Sequence, residues 1–267
     1  DDSTPGQVYM YVGTKQSTGN AVEQAGLHNG QLYGIKVAGV ANETSAINGN
    51  FTLEGVNWNQ TGTDLQSESV TDGITQFARP EDGHWADADT FYFVTTGASG
   101  NTAKLYRADF SNASDLTLGG TITMVKDSAT LTGTDGASAR SFDNMFVAPD
   151  GTILIQEDPG NSSYIAKTWM YDPVAGTWTQ VLESDRSRFL SGGTSFLTQD
   201  EENSGIIEIT GILGKNDGKR YFLGDMQAHY ATTSELVEGG QLYVMSAPVP
   251  EADTYAMMLA GLGLVGF

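Results

Sequence analysis

One strand phrase returns along the chain in five versions: GQVYMYV at 6–12, GQLYGIKV at 30–37, DTFYFVTT at 89–96, GTILIQE at 151–157 and GQLYVMS at 240–246. Each is short, rich in aromatic and β-branched residues, and bounded by turn formers, the pattern of strands that end in tight turns. Runs at 104–110, 120–125, 168–172 and 177–182 read the same way, 51–58 reads as a weaker strand, and a polar stretch follows it out to Gly73. A meander of short strands with imperfect internal repetition fits a β-propeller, in which each blade is a four-stranded sheet of about 40–45 residues. About a dozen strands make only about three blades, fewer than the roughly four that close a ring. The expected fold is therefore all-β, a β-propeller incomplete in this chain, with a short apolar C-terminal tail. Either further blades lie upstream of Asp1 or the strand count is low.

Composition narrows the function. Hydrophobic residues make up 39% of the 267, enough for a real core, and 33 glycines with 11 Tyr and 11 Phe favour strands and turns over helices. No long stretch has a 3.6-residue period. A formal charge of -20 argues against nucleic acid or an anionic membrane as partner, because both need a cationic face. With no cysteine, disulfides and thiolate metal sites are excluded, and His28, His84 and His229 are too scattered for a local zinc motif. The opening DDSTPG runs straight into a strand and reads as a processed or truncated start.

An acidic protein suits cations, and its acids fall in clusters. In residues 142–161, FDNMFVAPDGTILIQEDPGN, an apolar run ends in Glu157-Asp158 before Pro159-Gly160-Asn161 breaks it, while Asp143 and Asn144 come just ahead of the hairpin. One short span thus gathers hard oxygen donors of the kind calcium prefers. Glu81-Asp82 stands at a turn, Asp200-Glu201-Glu202 beside a strand, and Asp225 in another strand. The innermost strands of a propeller converge on a channel, so acids at their ends would face one another. Held that close, carboxylates repel and shift towards their neutral forms unless cations sit between them.

The C-terminus reads as a separate piece. After Pro248-Val249-Pro250-Glu251-Ala252, the apolar run AMMLAGLGLVGF at 256–267 is too short to cross a bilayer, which takes about 20 residues. The stretch resembles the PEP-CTERM sorting signal, with Ala252 in place of its second proline; a buried C-terminal helix is the alternative. The division is then 1–246 for the propeller portion and 247–267 for the sorting segment. Such a signal implies export from a Gram-negative cell, processing, and residence at the cell surface or in the extracellular matrix, with membrane contact only through the tail.

The phrases at 6–37, FARPEDGHW, FDNMFVAPDGTILIQEDPGN, FLTQDEENSGIIEI and DMQAHY, in that order, resemble the PhoX-type alkaline phosphatase family, also known as DUF839. The resemblance implies a calcium-binding β-propeller, with iron (Fe3+) as well in phosphatase members, that hydrolyses small phosphate esters outside the cell. It carries a metal-ligand role to Glu81, Glu157, Glu201 and Glu202, and less directly to Asp82, Asp158 and Asn161. Lys15, Arg79 and Arg186 are cations near motif loops able to hold phosphate, and His84 and His229 can act as acid or base. Of these, Arg79 and His229 are the catalytic candidates. The competing expectation is a calcium-binding surface or matrix protein without catalysis.

Overall fold

The computed structural model describes residues 6–98 and 102–248. Fourteen strands fall into three antiparallel sheets. The first holds β1 (Tyr9–Val12), β2 (Gln31–Val37), β3 (Asn48–Val56), β4 (Pro80–Trp85), β5 (Thr90–Thr95), β6 (Lys104–Phe110) and β7 (Gly120–Asp127), in the order β1-β2-β3-β7-β6-β5-β4. The second holds β8 (Phe142–Val147), β9 (Ile153–Glu157), β10 (Lys167–Asp172) and β11 (Thr177–Glu183), in sequence order. The third holds β12 (Glu201–Glu208), β13 (Lys219–Ala231) and β14 (Glu238–Pro248). The all-β expectation therefore holds. In each sheet one edge strand turns inward, and β4, β8 and β12 pack side by side. That is blade geometry: meanders stacked face to face with their first strands at the axis.

Alternation along the strands supplies the faces that bind blade to blade. Val94 and Leu105 of the first sheet meet Met145, Ile153, Ile155 and Trp169 of the second. On the second sheet's other face, Leu154 joins Ile206, Phe222 and Ala247 of the third, with Phe146, Met170 and Met245 packed around them. The first sheet curls, so Ile35, Val37 and Phe51 fold over Phe77, Phe93, Tyr106 and Phe110 in a core of their own. Its rings meet edge to face, Phe77 on Phe93 at 5.1 Å and Phe51 on Phe110 at 5.2 Å, the geometry that aromatic quadrupoles favour.

Two segments differ from the sequence expectation. Glu81-Asp82 lies inside strand β4 and not at a turn, because a bulge between Pro80 and Gly83 absorbs the irregular PEDG stretch while pairing with β5 continues. The polar stretch after β3 holds a helix, Gly62–Thr71, started by the Thr61 side chain, which accepts from the Asp64 amide. Only Ser69 of that helix is buried, so no apolar stripe advertised it. Strand β14 runs to Pro248, past the expected boundary at 246, and the apolar run 256–267 lies outside the described residues. Among the described residues no helix is long and apolar enough to cross a membrane.

Candidate functional site

The bulge in β4 has counterparts. Pairing of β8 with β9 shifts between Phe142 and Met145, and pairing of β12 with β13 shifts between Asn203 and Gly205. Every axial strand thus carries an irregularity over a short acidic or amide stretch: Glu81-Asp82, Asp143-Asn144, and Glu202-Asn203-Ser204. Bulges re-aim side chains and collect next to functional sites. Arg79 and Ser141, immediately before β4 and β8, hold left-handed φ values of 56° and 47°. Each such non-glycine residue costs on the order of 1 kcal/mol, which the surrounding bonds must offset. The Arg79 carbonyl accepts from the Thr96 amide and the Ser141 carbonyl from the Asp158 amide, both at 2.9 Å.

These stretches also stitch the axial strands together. Asp82 Oδ2 accepts from the Met145 amide of β8 at 2.9 Å while its Oδ1 accepts from the Gly83 amide at 2.7 Å. Asn144 donates to the Asn203 carbonyl of β12 at 3.5 Å and to Asp143 Oδ1 at 3.0 Å. The Thr96 hydroxyl is 3.0 Å from the Phe142 carbonyl and 3.4 Å from Glu81 Oε1, which also takes the Arg79 guanidinium at 3.3 Å.

Glu157 and Asp158 are adjacent, so they point to opposite sides. Glu157 goes inward and is fully buried in β9, one strand out from the axis. Its Oε1 accepts from the Arg140 amide (3.0 Å), the Tyr164 hydroxyl (3.1 Å) and the Trp169 indole (2.9 Å), and its Oε2 from the Lys167 amide (2.9 Å). Burial pushes its carboxyl up to about 7 against the pull of those donors and of Lys167. With both oxygens occupied, Glu157 organises the second blade. Around it the Tyr164 ring lies between the Lys167 ammonium at 3.7 Å and the Arg140 guanidinium at 4.1 Å.

Asp158 faces the third sheet. Its Oδ1 accepts from the Gly160 amide at 2.8 Å, and it sits against Glu202, whose carboxyl is raised first by burial and then by the Asp158 charge, with the Ser204 hydroxyl and His229 opposing. Glu201, 1% exposed, accepts from the Ala166 amide at 2.9 Å through Oε1. Its Oε2 is buried without a hydrogen bond of regular geometry, although the Ser184 hydroxyl lies close, and Asn203 Oδ1 is equally unpartnered. Burial, with Asp158 adding, pushes Glu201 up to about 7. His229 Nε2 lies 3.9 Å from Glu202 and its Nδ1 3.2 Å from Glu238. Burial alone would lower His229, but Glu238, Asp200 and Glu202 hold it above its ordinary value.

Other candidates sit elsewhere. Asp225 is in β13, opposite Gly205 and Leu242 and one strand away from the axis. Asn161 is exposed in the loop beyond Gly160, and Lys15 is exposed in the loop after β1. Arg186 is committed to Glu183 at 2.6 Å and Asp135 at 2.9 Å. His84 lies edge-on to Phe146 at 5.2 Å. Asp143 and Asn144, counted in the sequence among the oxygen donors of residues 142–161 but given no ligand role of their own, lie on axial strand β8; aligning PEDG, FDNM and EENSG shows their correspondence with Glu81-Asp82 and Glu202-Asn203.

The donors are of the type a hard cation takes: carboxylates, an amide oxygen, and a buried oxygen of Glu201 left unpartnered. In number they fall short, since among the described residues no group of three or more His, Asp or Glu is placed to hold a metal ion. A cation here would need main-chain or water oxygens besides.

No family model and no curated protein matches the chain. Among solved structures it is similar to Pseudomonas fluorescens PhoX in complex with vanadate, a transition state analogue, with a TM-score of 0.57 and 14% identity over 92% of this chain and 49% of that one. The chain spans about half the length of that protein. The likeness supports the fold, a propeller-type arrangement of β-sheets.

Proposed function

We propose that this chain is the axial, cation-holding portion of an exported phosphate-ester hydrolase of the PhoX type. The observation that carries the reading is the recurrence of a bulged axial strand with hard oxygen donors in all three sheets, joined by the Asp82 and Asn144 cross-strand bonds. Asp158 and Glu202 would hold a calcium ion together with main-chain and water oxygens, with the buried, unpartnered Glu201 Oε2 and Asn203 Oδ1 beside them, while Glu81, Asp82, Asp143 and Asn144 line the neighbouring strands. When bound, such an ion would weaken the negative field at the site that repels a dianionic ester from a chain of charge -20, and would polarise a phosphoryl oxygen.

His229, whose pKa the neighbouring Glu238, Asp200 and Glu202 raise against the effect of burial, would supply the proton to the departing alcohol oxygen. Arg79, fixed beside Glu81 by its backbone turn, would orient the phosphate. The test is hydrolysis of p-nitrophenyl phosphate by the full chain, stripped with chelator and reloaded with calcium or iron. His229→Gln should lower kcat by about 100-fold with calcium content unchanged. No turnover with any metal overturns the catalytic reading.

A second reading has its own support. Glu157 is wholly spent on structure, and the described carboxylates do not close a coordination sphere by themselves. The first fits a calcium-stabilised surface or matrix protein whose buried acids serve stability and not catalysis, and for it calcium uptake with no turnover is the expected result. Export and the sorting role of 247–267 are part of both readings, and cell fractionation of the protein with and without that segment tests them.

A further inference from the structure

The arginines of the described residues are spent on carboxylates, with one exception. Arg79 is held by Glu81, Arg107 by Asp109, Arg186 by Asp135 and Glu183, Arg188 by Asp185, and Arg220 by Asp150 and Glu208. Arg140 has no carboxylate partner among the described residues, in a chain of 33 acids against 13 Lys and Arg. Its Nε is buried without a hydrogen bond. Buried polar groups are nearly always paired, so a donor left this way calls for an acceptor that the chain does not supply.

The side chain is nonetheless held in place. Its guanidinium lies over the Tyr164 ring at 4.1 Å, and the Lys167 ammonium lies over the same ring at 3.7 Å. The Tyr164 hydroxyl donates to Glu157 Oε1, which also accepts from the Arg140 amide, so backbone and ring are fixed by one buried carboxylate. Lys167 is fully buried and committed to the Ile165 carbonyl at 3.1 Å and to Asp135 at 3.3 Å. A contact with a ring consumes no hydrogen-bond donor of the guanidinium, whose fork of N–H groups matches an oxyanion.

Position ties this fork to the axial site. Arg140 stands two residues ahead of β8, next to left-handed Ser141, whose carbonyl takes the Asp158 amide. Arg79 stands directly ahead of β4. Thr96 joins the two places, since its amide donates to the Arg79 carbonyl at 2.9 Å and its hydroxyl to the Phe142 carbonyl at 3.0 Å. The starts of the two axial strands therefore lie together, each with an arginine.

We propose that Arg140 is a phosphate-binding residue, which takes oxygens of the phosphoryl group of a phosphate monoester from the β8 side while Arg79 meets the group from β4. The identity of the anion rests on the hydrolase reading.

The experiment is calorimetric titration of the full chain, in calcium buffer, with inorganic phosphate, for wild type, Arg140→Gln and Arg140→Lys, with hydrolysis of p-nitrophenyl phosphate followed on the same samples. Saturable phosphate binding is expected in wild type, weaker by about tenfold or more in Arg140→Gln and by less in Arg140→Lys, which keeps the charge and loses the fork. Where there is turnover, KM should rise in step while kcat holds. The substitution breaks no hydrogen bond or ion pair, so the melt should stay near that of wild type. Phosphate binding that depends on Arg140 with no turnover upholds the anion site and contradicts the hydrolase reading alone. Phosphate bound as tightly by Arg140→Gln as by wild type, or by Arg140→Lys should the first variant not fold, overturns the proposal, and so does a wild type without saturable binding.

Discussion

Substitution of Glu201 by glutamine separates a cation site from an inert acidic cluster. The carboxyl titrates at about 7 when folded against an ordinary value of 4.5. Between those limits the folded protein carries more proton than the unfolded one, so stability falls as pH rises through that window. The ionised folded state should accordingly be about 3 kcal/mol less stable at about pH 8 than at about pH 4 on account of this one group. Glutamine keeps the acceptor for the Ala166 amide and cannot ionise. In chelator at about pH 8, E201Q should therefore be more stable than wild type by about 2–3 kcal/mol, and the two should converge at about pH 4. Calcium reverses the order, because it stabilises the ionised wild type, whereas the variant lacks the Glu201 charge beside the ion. Urea denaturation at the two pH values, with calcium and with EDTA, reads all four states. A pH-independent difference, or calcium stabilising both proteins equally, would refute the reasoning.

Arg220 clamps the second blade to the third, reaching Asp150 at 2.8 Å and Glu208 at 2.7 Å from a site only 8% exposed. Arg220→Met should cost about 2–4 kcal/mol in chemical denaturation, less than a fully buried pair because Asp150 is half in water. Glu157→Ala would strand four buried donors and should cost about 3–5 kcal/mol, an effect that calcium does not rescue. Rescue by calcium would make Glu157 a ligand after all. Leu154→Ala, at the second interface between blades, should lower stability by about 2–5 kcal/mol by the same assay.

Where strand chemistry was regular, the sequence was enough. The runs at 31–37, 104–110 and 168–172 fold as strands with ends displaced by at most one residue, because turn formers bound them. Strand β4 was hidden: Pro80, two acids and Gly83 break the alternation, and only the bulge reconciles them with the sheet. Helix 62–71 was hidden for the opposite reason, since its polarity all round gives no periodic signal and its hold on the fold comes through polar contacts such as Glu68 with the Asn57 amide.

The candidate site was half legible. Acid pairs beside strands located it, but pairs were read as units, whereas neighbours on a strand face opposite ways. Glu157 therefore went to the core while Asp158 met Glu202. Nothing in the local sequence around Ala166 or Ser184 shows that they would line the pocket of Glu201; those contacts close only when the second and third blades meet.

Calcium titration monitored by Tm tests the central claim most directly, comparing wild type with the Asp158→Asn, Glu202→Gln double variant. The axial site predicts a saturable rise in Tm for wild type, by several degrees at about 100 times Kd, that EDTA abolishes and the double variant lacks. A wild-type melt indifferent to both calcium and EDTA would contradict it.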